Sequence, residues 1–187
     1  FAHETMDSPI EKRKILGDAS ESAILRYMEL NRSATETRAE NPKEAEIPFS
    51  SAYKYQVTIH VLRATPSYYL IMKGAPEIIL EYCTGVHTDE GDQPMTPEVK
   101  KELKANFIKL ANMGERVIGY CDLKLPLETY PLGYKFDTQQ RNFPIEDLNF
   151  VGAISMIDPP RHEIEKSIGL CRQAGIKVIM VTGDHPV

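Results

Sequence analysis

Residues 53–80 read YKYQVTIHVLRATPSYYLIMKGAPEIIL and predict a β-hairpin followed by a short helix. Apolar and polar residues alternate over residues 53–61, which is typical of a strand with one buried face. A turn at residues 63–67 leads to a return strand over residues 68–72. A helix is then expected over residues 76–82. This segment therefore predicts that the fold contains an antiparallel sheet.

Lys73 stands where the return strand stops. Lys54 and Gln56 alternate with the apolar residues of the first strand. Directly opposed residues share a face, so one choice of register places Lys73 beside them, but the sequence does not fix that register. Two ammonium groups and an amide suit a phosphate tail or the polar edge of a base. A solvated sheet face accounts for the same residues, and nearby Phe49 is either a stacking ring or a core residue.

Capping signals predict two longer helices. Asp18 precedes the first one, with Glu21 placed to complete a capping box or to accept a hydrogen bond from the amino group of a base. Thr96 and Gly114 bound the second helix. The first helix carries an apolar stripe at helical spacing, formed by Ala23, Ile24, Tyr27 and Met28.

A further strand is expected over residues 116–125. It starts with Arg116, whose simplest role is a surface ion pair. Residues 31–45 are expected to be a loop that can include a short helical turn, and residues 84–95 and 126–147 are also expected to be loops. The last of these is long enough to require a function or a packing partner.

The C-terminal part of the chain changes in character. Residues 149–157 and 176–181 are continuous apolar runs that flank an amphipathic helix over residues 161–174. This order predicts a βαβ unit of a parallel sheet. Thr182, Gly183 and Asp184 follow the second run, at the edge where open α/β sheets bind ligands. They suit a phosphate or a phosphate-bound metal, although an ordinary turn also favours these residue types.

Composition excludes several classes of protein. The formal net charge of −5 over 187 residues argues against a general nucleic-acid binder. The three cysteines, Cys83, Cys121 and Cys171, show no CxxC spacing, so we expect reduced thiols and no zinc site. No apolar run approaches the length of a membrane span. Neither a Walker nor a Rossmann glycine motif occurs.

Six segments in order resemble the cytosolic nucleotide-binding region of P-type cation-transporting ATPases. They are GDASESAIL, IPFSSAYKYQVTIH, MKGAPEIIL, GERVIGYCDLKLP, FVGAISMIDPPR and AGIKVIMVTGDHP. The PFxSxxKYQ and TGDHP forms are most similar to alpha subunits of the sodium/potassium and proton/potassium pumps. The resemblance implies an α/β architecture: an α+β nucleotide-binding (N) domain, with an antiparallel sheet flanked by helices, over residues 1–155. A hinge and a partial Rossmann-like phosphorylation (P) domain would occupy residues 156–187.

The resemblance also implies roles for particular residues. Lys73 and Gly74 would lie in an ATP pocket with Phe49 stacked on adenine and Glu21 near the adenine amino group. Lys54 and Gln56 would line that pocket, and Arg116 would reach toward the phosphates. Asp158 and Arg161 match the hinge, whereas Thr182, Gly183 and Asp184 match a P-domain loop beside the phosphorylation site.

Departures from the family pattern limit what this chain is expected to do. It contains neither the DKTGT motif of the phosphorylated aspartate nor the GDGxNDxP loop of the magnesium site. No initiator methionine is present, and we expect a piece of a longer protein that lacks the first elements of its N domain. The piece would bind ATP or ADP weakly without hydrolysing it, and would contain neither a catalytic residue nor a metal ligand. SSAYKYQ also replaces the more usual NSTNKYQ, and residues 162–170 drift toward the calcium-pump pattern.

The resemblance places the parent protein in the plasma membrane, with this part in the cytosol and away from the bilayer. The parent would use ATP and Mg²⁺ to transport cations through an aspartyl-phosphate, together with a beta subunit. Two alternatives stay open. One is a haloacid-dehalogenase-like phosphatase with a cap domain, which would need a DxD motif. The other is a non-catalytic interaction module, which would bind no nucleotide.

Overall fold

Seven strands form one sheet in the computed structural model, which describes residues 8–64, 66–157 and 160–181. The strands follow the order β1-β2-β3-β6-β7-β4-β5 across the sheet. Their bounds are β1 Lys43–Ile47, β2 Tyr55–Leu62, β3 Ser67–Gly74, β4 Cys83–Thr88, β5 Gly91–Pro94, β6 Arg116–Leu125 and β7 Leu148–Met156. The helices are α1 Ala19–Glu29, α2 Ala34–Glu40, α3 Pro76–Ile79, α4 Pro97–Asn112 and α5 Ile164–Gln173. The expected α+β architecture, a sheet flanked by helices, is confirmed.

The predicted hairpin is formed by β2 and β3. Its register pairs Tyr55 with Gly74 and Gln56 with Lys73. Lys73 therefore shares a face of the sheet with Gln56, which resolves the choice that the sequence left open. β3 continues on its other side into β6, where Lys73 lies opposite Tyr120.

The opposite face of the sheet carries the hydrophobic core. Alternate residues of β2 and β3 are almost completely buried, and α3, α4 and residues 126–147 contribute to the same cluster. The long segment after β6 packs through aromatic rings, among them Tyr130, Phe136 and Phe143, and its Gly133 N–H donates to Tyr68 Oη at 2.8 Å. This segment therefore has the packing partner that its length requires.

Both predicted helix caps are present. The Asp18 carboxylate accepts from the backbone N–H groups of Ser20 and Glu21 at 2.9 and 3.0 Å, and Thr96 Oγ1 accepts from Val99 N–H at 3.3 Å. Gly114, with φ +78°, follows α4 in the left-handed conformation that glycine tolerates. The apolar stripe of α1 is not buried, however, since Tyr27 is 61% exposed.

Two segments that we expected to be loops contain regular structure. Residues 31–45 include α2 and most of β1, and residues 84–95 form β5 and most of β4. β1 and β5 are the two edge strands of the sheet. Edge strands carry charged and polar residues that prevent pairing with other chains. Their sequences, KEAEI and GDQP, therefore lack the apolar alternation that reveals a central strand.

The prediction of a βαβ unit over residues 149–181 is wrong, because the described residues do not form one. Its first strand is β7, which pairs antiparallel with β6 and parallel with β4 in the main sheet. α5 is present, but residues 176–181 form no strand and their apolar side chains are exposed. A parallel strand needs hydrogen-bonded neighbours and cover on both faces, and the described residues supply neither to this segment. Nothing in the described part of the chain has the length and apolar content of a membrane-spanning helix.

A polar cluster links four strands on the face that carries Lys73. His87 of β4 contacts Asp92 of β5 through Nδ1 and Asp122 of β6 through Nε2, the latter at 2.9 Å. The Asn149 amide of β7 donates to Asp92 at 3.4 Å. The hydrogen bond to Asp122, followed by that to Asp92, raises the pKa of His87 above its usual 6.5.

The cluster predicts a pH-dependent contribution to stability. Because the folded-state pKa of His87 is raised, its stabilisation is complete below pH 6.5 and is lost as the pH rises through the folded-state pKa. His87→Gln should therefore lower the free energy of unfolding more at pH 5.5 than at pH 8.5. The difference should be about 1 kcal/mol or less, because the His87 side chain is 37% exposed. Urea denaturation at both pH values measures it, with His162→Gln as a control. Equal losses at the two pH values would contradict this assignment.

Candidate functional site

The candidate site is built on three neighbouring central strands. Gln56, Lys73 and Tyr120 lie side by side on β2, β3 and β6, because Lys73 is paired with both of the others. Directly opposed residues of a sheet point to the same side. An amide, an ammonium and a phenol thus form a polar row near one end of the sheet.

α1 lies close enough to place a carboxylate on this row. Glu21 Oε1 accepts a hydrogen bond from Lys73 Nζ, although the two residues are 52 positions apart in the sequence. Burial, together with the negative charge of Glu21, raises the pKa of Tyr120 to about 12. Glu21, whose carboxylate was expected to complete a capping box, is therefore paired with Lys73 in the candidate site.

Glu46 of β1 also belongs to the site, although the sequence did not predict its role. Its Oε1 accepts from Gln56 Nε2 at 2.6 Å, and it forms an ion pair with Lys43. The hydrogen bond from Lys43 lowers the pKa of Glu46, and the Gln56 amide and the positive charge of Lys73 act in the same direction. The charged sequence of β1 has no apolar alternation, so sequence alone assigns Glu46 no position on this face. Once β1 is known to be a strand, its pairing with Thr58 places Glu46 on this face.

The loop between β1 and β2 carries the next two predicted residues. Phe49 is 62% exposed, so it is a surface ring and not a core residue. Lys54 precedes β2 and has φ 60°, so the strand alternation that was expected to include it does not reach it. Its N–H donates to Ser50 O at 2.6 Å, and its carbonyl accepts from Ala75 N–H at 3.0 Å.

Gly74 allows the close approach between this loop and β3. A Cβ atom at Gly74 would lie 2.3 Å from Lys54 O and 2.8 Å from Tyr55 Cα. Both neighbours are backbone atoms, so they cannot rotate away as a side-chain end would. The glycine of the KGAPE segment is therefore required by packing at this corner.

The remaining predicted residues lie farther along the chain. Arg116 begins β6, beyond the residue that pairs with Gly74 at the end of β3. It therefore lies at the same end of the sheet as Lys73. Arg161 is exposed and precedes α5. Asp158, Thr182, Gly183 and Asp184 lie outside the described residues.

The arrangement suits binding of an anion with a planar polar ring. Lys73 offers a positive charge on a stiff strand, Gln56 offers an amide that can donate and accept, and Phe49 offers an exposed aromatic face.

Residues 8–64, 66–157 and 160–181 contain no group of three or more His, Cys, Asp or Glu side chains that fits a metal ion.

Comparison with known proteins identifies the family. Residues 2–163 match the family described as P-type ATPase, cytoplasmic domain N. The chain belongs to this family. It is 48% identical over 188 residues to the sodium/potassium-transporting ATPase subunit alpha-A of Artemia franciscana, covering 100% of this chain and 19% of that protein. It is 51% identical over 181 residues to the alpha subunit of Tetronarce californica, covering 96% of this chain and 18% of the relative.

A third relative extends the same result. The sodium/potassium-transporting ATPase subunit alpha of Drosophila melanogaster is 49% identical over 182 residues, covering 96% of this chain and 18% of its own length. The resemblance inferred from six sequence motifs is thus confirmed at the level of the P-type ATPase N domain. This N-domain chain spans about a fifth of the length of the curated relatives it matches.

Proposed function

We propose that this chain is the ATP-binding cytosolic part of a P-type ion pump. The main support is the side-by-side placement of Gln56 and Lys73 on the central strands, with Glu21 brought to Lys73 by α1. Glu21 lies 52 positions from Lys73 along the chain, and each of the three residues belongs to one of the motifs that resemble the family. A solvated lysine-rich face would not require this convergence.

Each side chain has a distinct role in the proposed complex. The Lys73 ammonium attracts the phosphates, and the exposed ring of Phe49 stacks on the adenine. Gln56 and Lys54 line the pocket, Gly74 lets the loop that carries Lys54 pack closely against β3, and Arg116 extends toward the phosphate tail.

Glu21 and Lys73 exchange partners in this proposal. Without nucleotide, the Lys73 ammonium is neutralised by the Glu21 carboxylate. A nucleotide brings phosphates, which carry several negative charges and also form charge-assisted hydrogen bonds with the ammonium. The released Glu21 carboxylate then accepts from the amino group of adenine. Both side chains therefore keep a hydrogen-bond partner in the free and bound states.

The whole protein would use the bound nucleotide for phosphoryl transfer. In the proposed mechanism an aspartate outside this chain receives the γ-phosphoryl group, so positioning of ATP is the contribution of the N domain. Mg²⁺ would serve the whole enzyme, but no cluster in the described residues fits it, and the role proposed for this chain concerns the nucleotide alone. Cation transport, the beta subunit and a plasma-membrane location are further parts of the proposal. Sodium and potassium are the favoured ions because the relatives cited above are sodium/potassium-transporting ATPases.

We also propose that the chain extends into a second domain, the P domain. We place the boundary between residues 155 and 156, so that residues 1–155 form the N domain and residues 156–187 lead into the P domain. Asp158 and Arg161 would form the hinge, and Thr182, Gly183 and Asp184 would approach the phosphates when the two domains close.

Calorimetric titration with ATP and a phosphate-release assay test the proposal together. We expect saturable one-site binding of ATP and ADP without release of phosphate, because the chain has no DKTGT motif. Phosphate release by pure protein that disappears in Lys73→Ala would contradict the binding-only role. Absence of any nucleotide binding by folded protein would favour the interaction-module alternative.

A further inference from the structure

Tyr53 occupies an unusual position in the loop that carries Phe49 and Lys54. Its ring is 54% exposed, yet it contacts two other groups. The centroid of the Tyr55 ring lies 5.8 Å away, and the Arg141 guanidinium carbon lies 5.7 Å from the Tyr53 centroid. The second distance is within the range of a cation–π contact.

The segment that carries Arg141 is held firmly. The Asp137 carboxylate accepts from the N–H groups of Gln139 and Gln140 at 2.8 and 2.9 Å. Asn142 closes the same turn, because its Oδ1 accepts from Asp137 N–H at 2.8 Å and its Nδ2 donates to Lys135 O at 3.0 Å. The next residue, Phe143, is buried in the core. Arg141 is thus presented from a fixed turn, with little backbone freedom left to lose.

The loop that Arg141 meets has a conformation that needs support. Lys54 has a left-handed φ of 60°, which a residue other than glycine keeps only when its surroundings enforce it. Two backbone hydrogen bonds hold it, one to Ser50 and one from Ala75. Tyr53 is the adjacent residue, and its ring packs against that of Tyr55. The Tyr55 ring in turn contacts Tyr82, with the two ring centroids 5.4 Å apart.

We propose that Arg141 and Tyr53 form a latch that holds residues 48–54 in the conformation that presents Phe49 and Lys54 to the nucleotide. The inference rests on the proposed ATP-binding function and adds two positioning residues to it. Neither residue needs to touch the nucleotide. The latch ties a loop at the rim of the site to a turn on the long segment between β6 and β7.

A double-mutant cycle tests the latch. Arg141→Met removes the charge and keeps the stem, and Tyr53→Asn removes the ring. Each single variant should weaken ATP binding by about two- to fivefold, the size of an exposed cation–π contact. The double variant should be no weaker than Tyr53→Asn alone, since Arg141→Met removes no further contact once the ring is gone. Tyr53→Phe keeps the aromatic face and should restore binding to the wild-type level.

The cycle also separates the latch from the simple loss of a positive charge. If Arg141 acted on the phosphates through its charge, Arg141→Met would weaken binding equally in the Tyr53→Asn background, and the latch would be wrong. A second readout does not depend on nucleotide. Amide relaxation of Phe49 and Lys54 in the free protein should show greater mobility in both single variants and not in Tyr53→Phe.

The outcomes distinguish this inference from the proposed function. If wild-type protein binds ATP and the single variants bind it equally well with an unchanged loop, the latch is excluded while the ATP site stands. If wild-type protein binds no ATP but the loop loosens in both variants, the proposed function fails while the contact is real. Unchanged loop mobility in every variant excludes the latch in either case.

Discussion

Replacing Lys73 with alanine should reduce ATP affinity by about 10- to 100-fold, the cost of a charge-assisted hydrogen bond. Lys73 is fixed on β3 between Gln56 and Tyr120, so no other described ammonium occupies the same place in the row. The loss should be larger for ATP than for adenosine, because the charge acts on the phosphates. Calorimetric titration of the wild type and the variant measures both ligands.

Lys124→Met provides a matched control for the charge change. Lys124 lies on the same face of β6, opposite Tyr69 and several residues farther along the strand than Tyr120. Charges in water are screened over about 10 Å, so this variant should bind ATP with nearly wild-type affinity. Equal weakening in the two variants would show that net charge, and not the position of Lys73, governs binding.

Gly74→Ala should damage both the fold and the site. The new methyl group would lie 2.3 Å from Lys54 O, so the start of β2 and the loop before it must move. Overpacking of this kind costs about 1–3 kcal/mol of the free energy of unfolding. Because the same movement displaces Lys54 and the loop that carries Phe49, ATP affinity should fall as well. Urea denaturation and titration of the folded variant measure the two effects.

Gly169→Ala is the control for replacing a glycine. Gly169 lies within α5, and an added Cβ there would meet no neighbouring atom within 4 Å. Alanine is the better helix former, so this variant should be as stable as the wild type or slightly more stable. A Gly74→Ala variant with wild-type stability and wild-type affinity would mean that the corner between β3 and the loop is not packed as described.

Central elements were predictable from local sequence because their signals are local. β2 alternates clearly between apolar and polar residues, β3 begins as a short apolar run after a turn, and α4 has both a threonine cap and a glycine end. Polar edge strands lack apolar alternation, so the sequence predicts neither β1 nor β5 as a strand. The position of Glu46 on β1 is therefore not predictable either. Register is a property of pairing, and only the structure shows that Lys73 faces Gln56 and Tyr120.

Long apolar runs were the main source of error. The run that forms β7 suits a parallel strand buried on both faces and equally a central strand of a mixed sheet, because composition does not specify neighbours. In the structure its neighbours are β6 and β4. The contact between Tyr53 and Arg141 was also invisible in the sequence, since it joins two irregular segments that are distant along the chain.

Backbone amide shifts during an ATP titration test directly whether this face of the sheet binds nucleotide. We expect saturable shifts that concentrate at Glu21, Phe49, Gln56 and the Lys73–Gly74 corner, with small changes along β4 and β5. Shifts spread over another surface, or no shifts in folded protein at millimolar ATP, would contradict the claim that this face of the sheet is a nucleotide site.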